Sequence, residues 1–300
     1  MTEARRDRFW PFLKQLIFIG CLGLIGTAQS GAAEREPDFY IPPRPSISLI
    51  IDDLGNTLNA GLRAVSLPGP IAYAFLPHTP HAVELAKLAH SFNKEILLHA
   101  PMEAEVIDHN PGPGALTLDM TEQHFIQTLQ EDLAAIPHVI GINNHMGSLL
   151  TRHPGHMLWL MRELDRRGNL FFVDSMTTEK SIALQVAAEQ NIPSLRRDVF
   201  LDNERSVDEI SAQFQKLVRL AKQRGHALGI GHPYPETLAA LERLLPQLEE
   251  LGVNLVPVTD MIKLQRQPQW QASLSHSPKA ARNSKPSPSS TCCAAPDILW

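Results

Sequence analysis

From Ser46 to Lys263 apolar residues follow two rhythms. Short, almost solid apolar runs fall at 47–52, 71–76, 95–100, 138–143, 169–174, 226–231 and 253–257, with a weaker one near 193–200. Runs of that length between turn residues read as strands covered on both faces. Between them, at 57–66, 80–91, 121–135, 155–167, 178–190, 206–224 and 235–251, apolar positions recur every three or four residues, as on one face of a helix. Start and stop signals agree. Thr121 stands three residues before His124, with Asp119 nearby as another cap, and Ser206 precedes Glu209 at the capping-box spacing. Gly168, Gly225 and Gly252 each end a helix just before a strand.

Repeated strand–helix alternation means a parallel sheet with covering helices. Seven to eight such units predict an α/β fold in the form of a (β/α) barrel rather than two small domains. A doubly wound open sheet is the alternative. No GxGxxG or GxxxxGK[ST] follows any strand, so nucleotide binding has no support.

The ends of the chain read differently. Arg5, Arg6, Arg8 and Lys14 precede an apolar run from Leu16 to Gly26, and small residues follow at Ala28, Ser30, Ala32 and Ala33. This is the pattern of a secretory signal peptide over 1–33. The run is shorter than the ~20 residues a spanning helix needs, so no stable membrane span is expected after cleavage, and the expected location is secreted or periplasmic. Residues 34–45 are a Pro-rich linker, 46–263 the domain, and 264–300 a Ser-, Pro- and Gln-rich tail too poor in aliphatics to order itself.

Charge narrows the partners. Of 27 basic and 32 acidic residues, the leader takes four and two and the tail four and one. The middle keeps 19 and 29, a net of −10, which suits neutral or cationic substrates and argues against nucleic acid. Cys21, Cys292 and Cys293 all lie outside the domain, so neither a disulfide framework nor a thiolate site supports it.

Polar residues recur where strands end. The first closes on Asp52-Asp53, and two adjacent carboxylates at the end of a buried strand need a cation or a proton between them. They suggest a metal ligand beside a general base. The second strand is followed by His78 and His81, the third ends on His99-Ala-Pro-Met-Glu103, and the fourth on Asn143-Asn-His145-Met-Gly-Ser148. The fifth ends on Asp174-Ser175 and a late one on Gly231-His232-Pro233. In a parallel sheet these ends share one rim, where α/β folds keep their chemistry. Imidazoles and a carboxylate without thiolate suit a divalent metal, Zn²⁺ first and Mn²⁺, Co²⁺ or Ni²⁺ after it. Such an ion makes hydroxide available near neutral pH, which fits hydrolysis of an amide or ester.

Together these motifs resemble the divergent polysaccharide deacetylase family, a distant branch of the NodB-type carbohydrate esterases, over about 46–262. The resemblance implies a deformed (β/α) barrel and a metal-dependent deacetylase ancestry. It implies Asp52 as general base, Asp53 and His99 as metal ligands, and His232 as acid. NodB-type enzymes carry a second ligand histidine four residues after the first, where this chain has Glu103. The third ligand is then His145, which also sits at a strand end, with Glu103 as the alternative, and Asp174 orients a ligand or water. The expected substrate is a cell-envelope or extracellular polysaccharide. A non-catalytic glycan- or protein-binding factor and a metal-dependent peptidoglycan amidase are the alternatives.

Overall fold

The computed structural model describes residues 44–106 and 110–265. The segments expected to be a signal peptide, the linker up to residue 43 and the tail beyond 265 lie outside the described residues. Within them the alternation runs β1 (Ser46–Leu54), α1 (Leu58–Val65), β2 (Ala72–Phe75), α2 (Ala82–Ser91), β3 (Glu95–Met102), α3 (Glu122–Ala135), β4 (Val139–Met146) and α4 (Pro154–Arg167). It continues with β5 (Phe171–Asp174), α5 (Ala183–Glu189), β6 (Ser194–Arg196), β7 (Val199–Phe200), α6 (Val207–Arg224), β8 (His226–Gly231), α7 (Pro235–Leu244), β9 (Asn254–Leu255) and α8 (Val258–Gln265).

Every strand pairing is parallel, and the order is β6-β5-β4-β3-β2-β1-β8-β7, with β9 added beside β1. One segment joins the two edges. Its first half, Ser194–Arg196, pairs with Phe172–Asp174, and its second half, Val199–Phe200, pairs with Gly229–Ile230. The sheet therefore curls back on itself as the expected deformed barrel.

Strand residues alternate between two cores. Ile47, Leu49 and Ile51 pack outward under the helices, while Ile50 joins Ala72, Ala74, Leu97, Phe171, Val173, Leu195, Leu228 and Ile230 on the inner face. Val258, Met261 and Ile262 of α8 join this inner cluster. The Glu95 carboxylate, at the start of β3, accepts from the Val258 and Thr259 N–H groups at 2.7 and 3.1 Å and so caps α8. Apart from Ser48, whose hydroxyl donates to the Val256 carbonyl at 2.7 Å, the inner face is apolar as far as the carboxyl ends of the strands, where polar side chains take over.

Three elements depart from the sequence reading. The helix expected over 178–190 begins only at Ala183, because Ser181 is drawn into a turn by Asp174. The one expected over 235–251 stops at Leu244, just before Pro246, which has no N–H to continue it. A last helix, α8, was not anticipated. It is short, and its apolar positions are too few to show a period.

Outside the barrel, a buried carboxylate at the α3–α4 seam is paired with two partly exposed arginines of its own helix. Glu163 of α4 accepts from Arg166, Arg167 and, across the seam, Gln130 at 2.7–3.1 Å. Burial pushes its carboxyl up, but the Arg166 and Arg167 hydrogen bonds outweigh burial and hold it at about 2. A carboxyl depressed in the folded state adds stability above its unfolded value of ~4.3, and that stability is lost as pH falls toward 2. Glu163→Gln is expected to cost roughly 1.5–3 kcal/mol at pH 7 and to flatten the fall in stability between about pH 4.5 and 2. Denaturant unfolding across that range checks both.

Candidate metal centre and acid–base site

The site begins with a backbone irregularity in β1. Ile51 pairs with Tyr73 and Leu54 with Phe75, so three steps on β1 oppose two on β2. The extra residue is a bulge at Asp52-Asp53, and Asp53 holds the left-handed φ of 57° that the bulge requires. Regular alternation would send one carboxylate inward and its neighbour out. Asp52 follows Ser48 and Ile50 to the inner face by parity, and the bulge turns Asp53 toward the same rim. Gly55 then takes a φ of 120° against the turn after β2, where a Cβ would lie 2.0 Å from Thr79 Oγ1. His78, Met146 and Met176, near the ends of β2, β4 and β5, also carry positive φ. Among the described residues three further non-glycine positive φ values, at Asn93, His138 and Asn191, fall just before β3, β4 and β6 at the opposite end.

Asp53, His99 and His145 meet there. Asp53 Oδ1 lies 3.0 Å from His145 Nδ1 and 3.2 Å from His99 Nε2, and the two nitrogens are 3.1 Å apart. Despite these distances, Asp53 Oδ1 is buried without a properly directed hydrogen bond among the described residues. The hydrogen bond runs between the two imidazoles, and Asp53 Oδ1 stands close to both rings without one. Ligands about 2.0–2.2 Å from a shared Zn²⁺ stand on the order of 3 Å apart. The donor set and the stranded oxygen both fit a divalent ion held by these three residues.

Asp52 and His232 flank the trio. Asp52 Oδ2 is 3.7 Å from His99 Nε2, and His232 Nε2 is 3.8 Å from Asp53 Oδ2. Burial raises the Asp52 carboxyl above its ordinary range in spite of His99 and His232 beside it. Burial also pushes the Asp53 carboxyl up, but the His145 and His99 imidazoles outweigh it and hold Asp53 well below that range. The two neighbours are thus driven apart, which is how adjacent carboxylates acquire separate roles. For His99, burial favours the neutral ring, yet Asp52 and Asp53 outweigh it and raise it to about 9.

Two residues with no role assigned from sequence complete the arrangement. Asn143 stands directly across from His99 in the β3–β4 ladder. Its Nδ2 donates to Asp52 Oδ1 at 2.8 Å and its Oδ1 faces His99 Nδ1 at 2.9 Å. Asp202 lies just beyond β7, and continuing the β7–β8 register sets it beside His232. Its Oδ1 accepts from His232 Nδ1 at 2.9 Å, and its Oδ2 accepts from the His232 N–H and the Thr237 hydroxyl at 2.6 and 2.7 Å. Burial favours neutral His232, but Asp202 raises it above the usual histidine value. Asp202 was findable by the same strand-end rule, had the weak strand near 193–200 been given weight.

Other candidates lie elsewhere. The Asp174 carboxylate accepts from the Ser181 hydroxyl at 2.7 Å and the Met176 N–H at 2.8 Å, away from the trio. Phe171 and Val173 occupy the inner face of β5 and Phe172 the outer, so parity sends Asp174 outward. Glu103 accepts from the Leu118 N–H at 2.7 Å, fastening the following loop, and it is His145 that stands beside His99. His78 bonds buried Asp132 at 2.9 Å, and His81 donates its backbone N–H to Gly55.

Two clefts open on the trio. One, of about 340 Å³, is lined by Asp53, His145, Pro77 and Pro113; the other, of about 380 Å³, by Asp52, His99, Arg197, Phe200 and His232. Larger hollows of about 700 and 440 Å³ lie away from it, lined by residues such as Leu245 and Val253 or Leu170 and Ile262. Neither contains the His–carboxylate cluster, so chemistry rather than size locates the site. Asp202→Asn removes the charge that raises His232. The alkaline limb of a pH–rate profile is then expected to move to lower pH, with kcat down roughly 10²-fold and metal affinity unchanged. Steady-state kinetics and calorimetry with Zn²⁺ check this.

Fold and site together define a parallel α/β barrel with a His–carboxylate cluster at its rim, flanked by Asp52 and His232. A model of the divergent polysaccharide deacetylase family matches residues 49–262, and the chain belongs to that family. It is 31% identical to YibQ of Escherichia coli K12 over 219 residues, covering 72% of this chain and 67% of that one. It is 35% identical to a Haemophilus influenzae protein over 204 residues, covering 68% and 72%. The crystal structure of ATU2773 from Agrobacterium tumefaciens superposes with a TM-score of 0.70 at 24% identity, over 73% of this chain and 89% of that one, a likeness of fold.

Proposed function

We propose that this protein is an exported, metal-dependent deacetylase of cell-envelope or extracellular polysaccharide, with Zn²⁺ as its metal. The observation that carries the reading is the convergence of Asp53, His99 and His145, with Asp52 and His232 at its margins. A divalent ion bound by that trio supplies Lewis acidity, making hydroxide available at neutral pH and polarising the acyl carbonyl. Asp52 accepts the proton of the attacking water, which forms a bond to the acetyl carbon. His232, protonated and aligned by Asp202, gives its proton to the departing amide nitrogen or ester oxygen as that bond breaks. Acetate and a free amine or hydroxyl are the products. The leader over 1–33 supports export, and the acidic domain suits a neutral glycan. Among the described residues no helix is long and apolar enough to cross a membrane.

The test incubates the purified protein, stripped with chelator and reloaded with Zn²⁺, with N-acetylated oligosaccharides and with peptidoglycan. Acetate release that depends on Zn²⁺ is the expected result. Release of stem peptides from peptidoglycan without acetate would replace the reading with an amidase. Glycan binding with neither product would make the protein a non-catalytic glycan-binding factor.

A further inference from the structure

Asn143 makes the one hydrogen-bonded link between the base and a ligand of the trio among the described residues. Its side chain is wholly buried, and its only other side-chain partner is the Ser175 hydroxyl, at 3.4 Å. The link crosses the barrel interior. β1 and β4 are separated by β2 and β3, so in a flat sheet Asp52 and Asn143 would stand roughly 14 Å apart, three strand spacings of about 4.8 Å. Two short side chains meet at 2.8 Å because the sheet has closed on itself. The small Ala72 and Ala74 of β2 face the interior between them.

The amide's two ends do different chemistry. A carboxylate accepts and does not donate, so the NH₂ end faces Asp52 and the carbonyl end faces His99. That carbonyl can only accept, so His99 Nδ1 carries the proton. In a neutral ring the lone pair is then at Nε2, the atom aimed at Asp53 and His145. We propose that Asn143 is a positioning residue that sets two things with one side chain: the orientation of Asp52 as base and the Nδ1–H tautomer that makes His99 a ligand. The proposal rests on the deacetylase reading for the first and on geometry alone for the second.

Asn143→Asp and Asn143→Leu separate the two ends without changing the volume much. An aspartate still accepts from His99 Nδ1–H but can bond Asp52 only by sharing a proton with it, which occupies the base; leucine does neither. Three readouts apply to each purified full-length variant: Zn²⁺ affinity by calorimetry, the slowly exchanging His99 Nδ1 proton by ¹⁵N-resolved NMR, and kcat against KM on an N-acetylated oligosaccharide. For Asn143→Asp we expect Zn²⁺ affinity within about threefold of wild type, the Nδ1 proton retained, and kcat reduced about 10²-fold at unchanged KM. For Asn143→Leu we expect Zn²⁺ affinity weaker by 10–100-fold and the Nδ1 proton lost to exchange. Wild-type Zn²⁺ affinity with the Nδ1 proton intact in Asn143→Leu would overturn the proposal. So would equal loss of kcat and of Zn²⁺ affinity in both variants. If the wild type released no acetate, the deacetylase reading would fail by itself, and the Nδ1 proton in the wild type against Asn143→Leu would still decide the tautomer claim.

Discussion

Asp53→Ala is expected to abolish Zn²⁺-dependent acetate release and to weaken Zn²⁺ binding by roughly two orders of magnitude or more. Structural Zn²⁺ sites with four ligands are worth about 10–16 kcal/mol, so one ligand carries on the order of 3 kcal/mol, close to a hundredfold. Asp53 Oδ1 is the oxygen within 3.0–3.2 Å of both imidazole nitrogens, and among the described residues no other carboxylate belongs to the cluster. The substitution also has a backbone cost. Asp53 sits at a φ of 57°, where alanine is strained and glycine is not. Asp53→Gly should therefore lose the metal equally while being more stable than Asp53→Ala by about 1 kcal/mol. Thermal unfolding with and without Zn²⁺ reads both effects. At a free ion concentration a hundred times its Kd, wild type should gain about 2.7 kcal/mol, and both variants should gain almost none. Wild-type stabilisation by Zn²⁺ in either variant would remove Asp53 from the ligand set.

Asp52→Asn should behave in the opposite way on every count except rate. The base is expected to contribute 10²–10⁴-fold to kcat, and its amide replacement cannot take a proton from water. Zn²⁺ affinity should stay near wild type, because Asp52 Oδ2 stands 3.7 Å from the nearest ligand nitrogen, outside the triangle of donors. Stability should not fall. The Asp52 carboxyl is raised in the folded state, chiefly by burial. A group whose folded pKa lies above its unfolded value detracts from stability once pH exceeds the unfolded value. Removing that charge relieves the cost at pH 7, so the midpoint of thermal unfolding should equal or exceed that of wild type while activity is lost. This trade of stability for function is expected where a site holds a buried charge for chemistry. A variant with wild-type kcat would exclude Asp52 as the base.

The roles of these neighbours were only partly legible beforehand. Strand and helix runs were readable because each is a local property: solid apolar runs for strands buried on both faces, a three-to-four spacing for the helices. That same solidity hides direction. In an apolar run without alternation, nothing local says which residues face the barrel interior. Asp52 and Asp174 look alike as strand-end aspartates, yet parity carries Asp52 to the inner face and Asp174 to the helix side, onto Ser181. The bulge that turns Asp53 to the same rim as Asp52 is a mismatch between two strands, and no single strand records it. His145 and Glu103 were both open as partners of His99. The β3–β4 register places His145 across from Pro101, one turn of the pleat beyond His99, while Glu103 leaves the strand and binds the Leu118 N–H.

Sequence alone was enough for the repeating strand–helix unit, the family resemblance and the concentration of Asp and His at strand ends. Composition, periodicity and short motifs are carried by neighbouring residues. Tertiary structure alone decided which of those side chains meet: Asp53 with His99 and His145, Asn143 with Asp52, Asp202 with His232. The reason is physical. Those contacts join residues 30 to 92 positions apart, and they exist only because sheet closure, strand register and one bulge bring the strand ends within a few ångströms of each other.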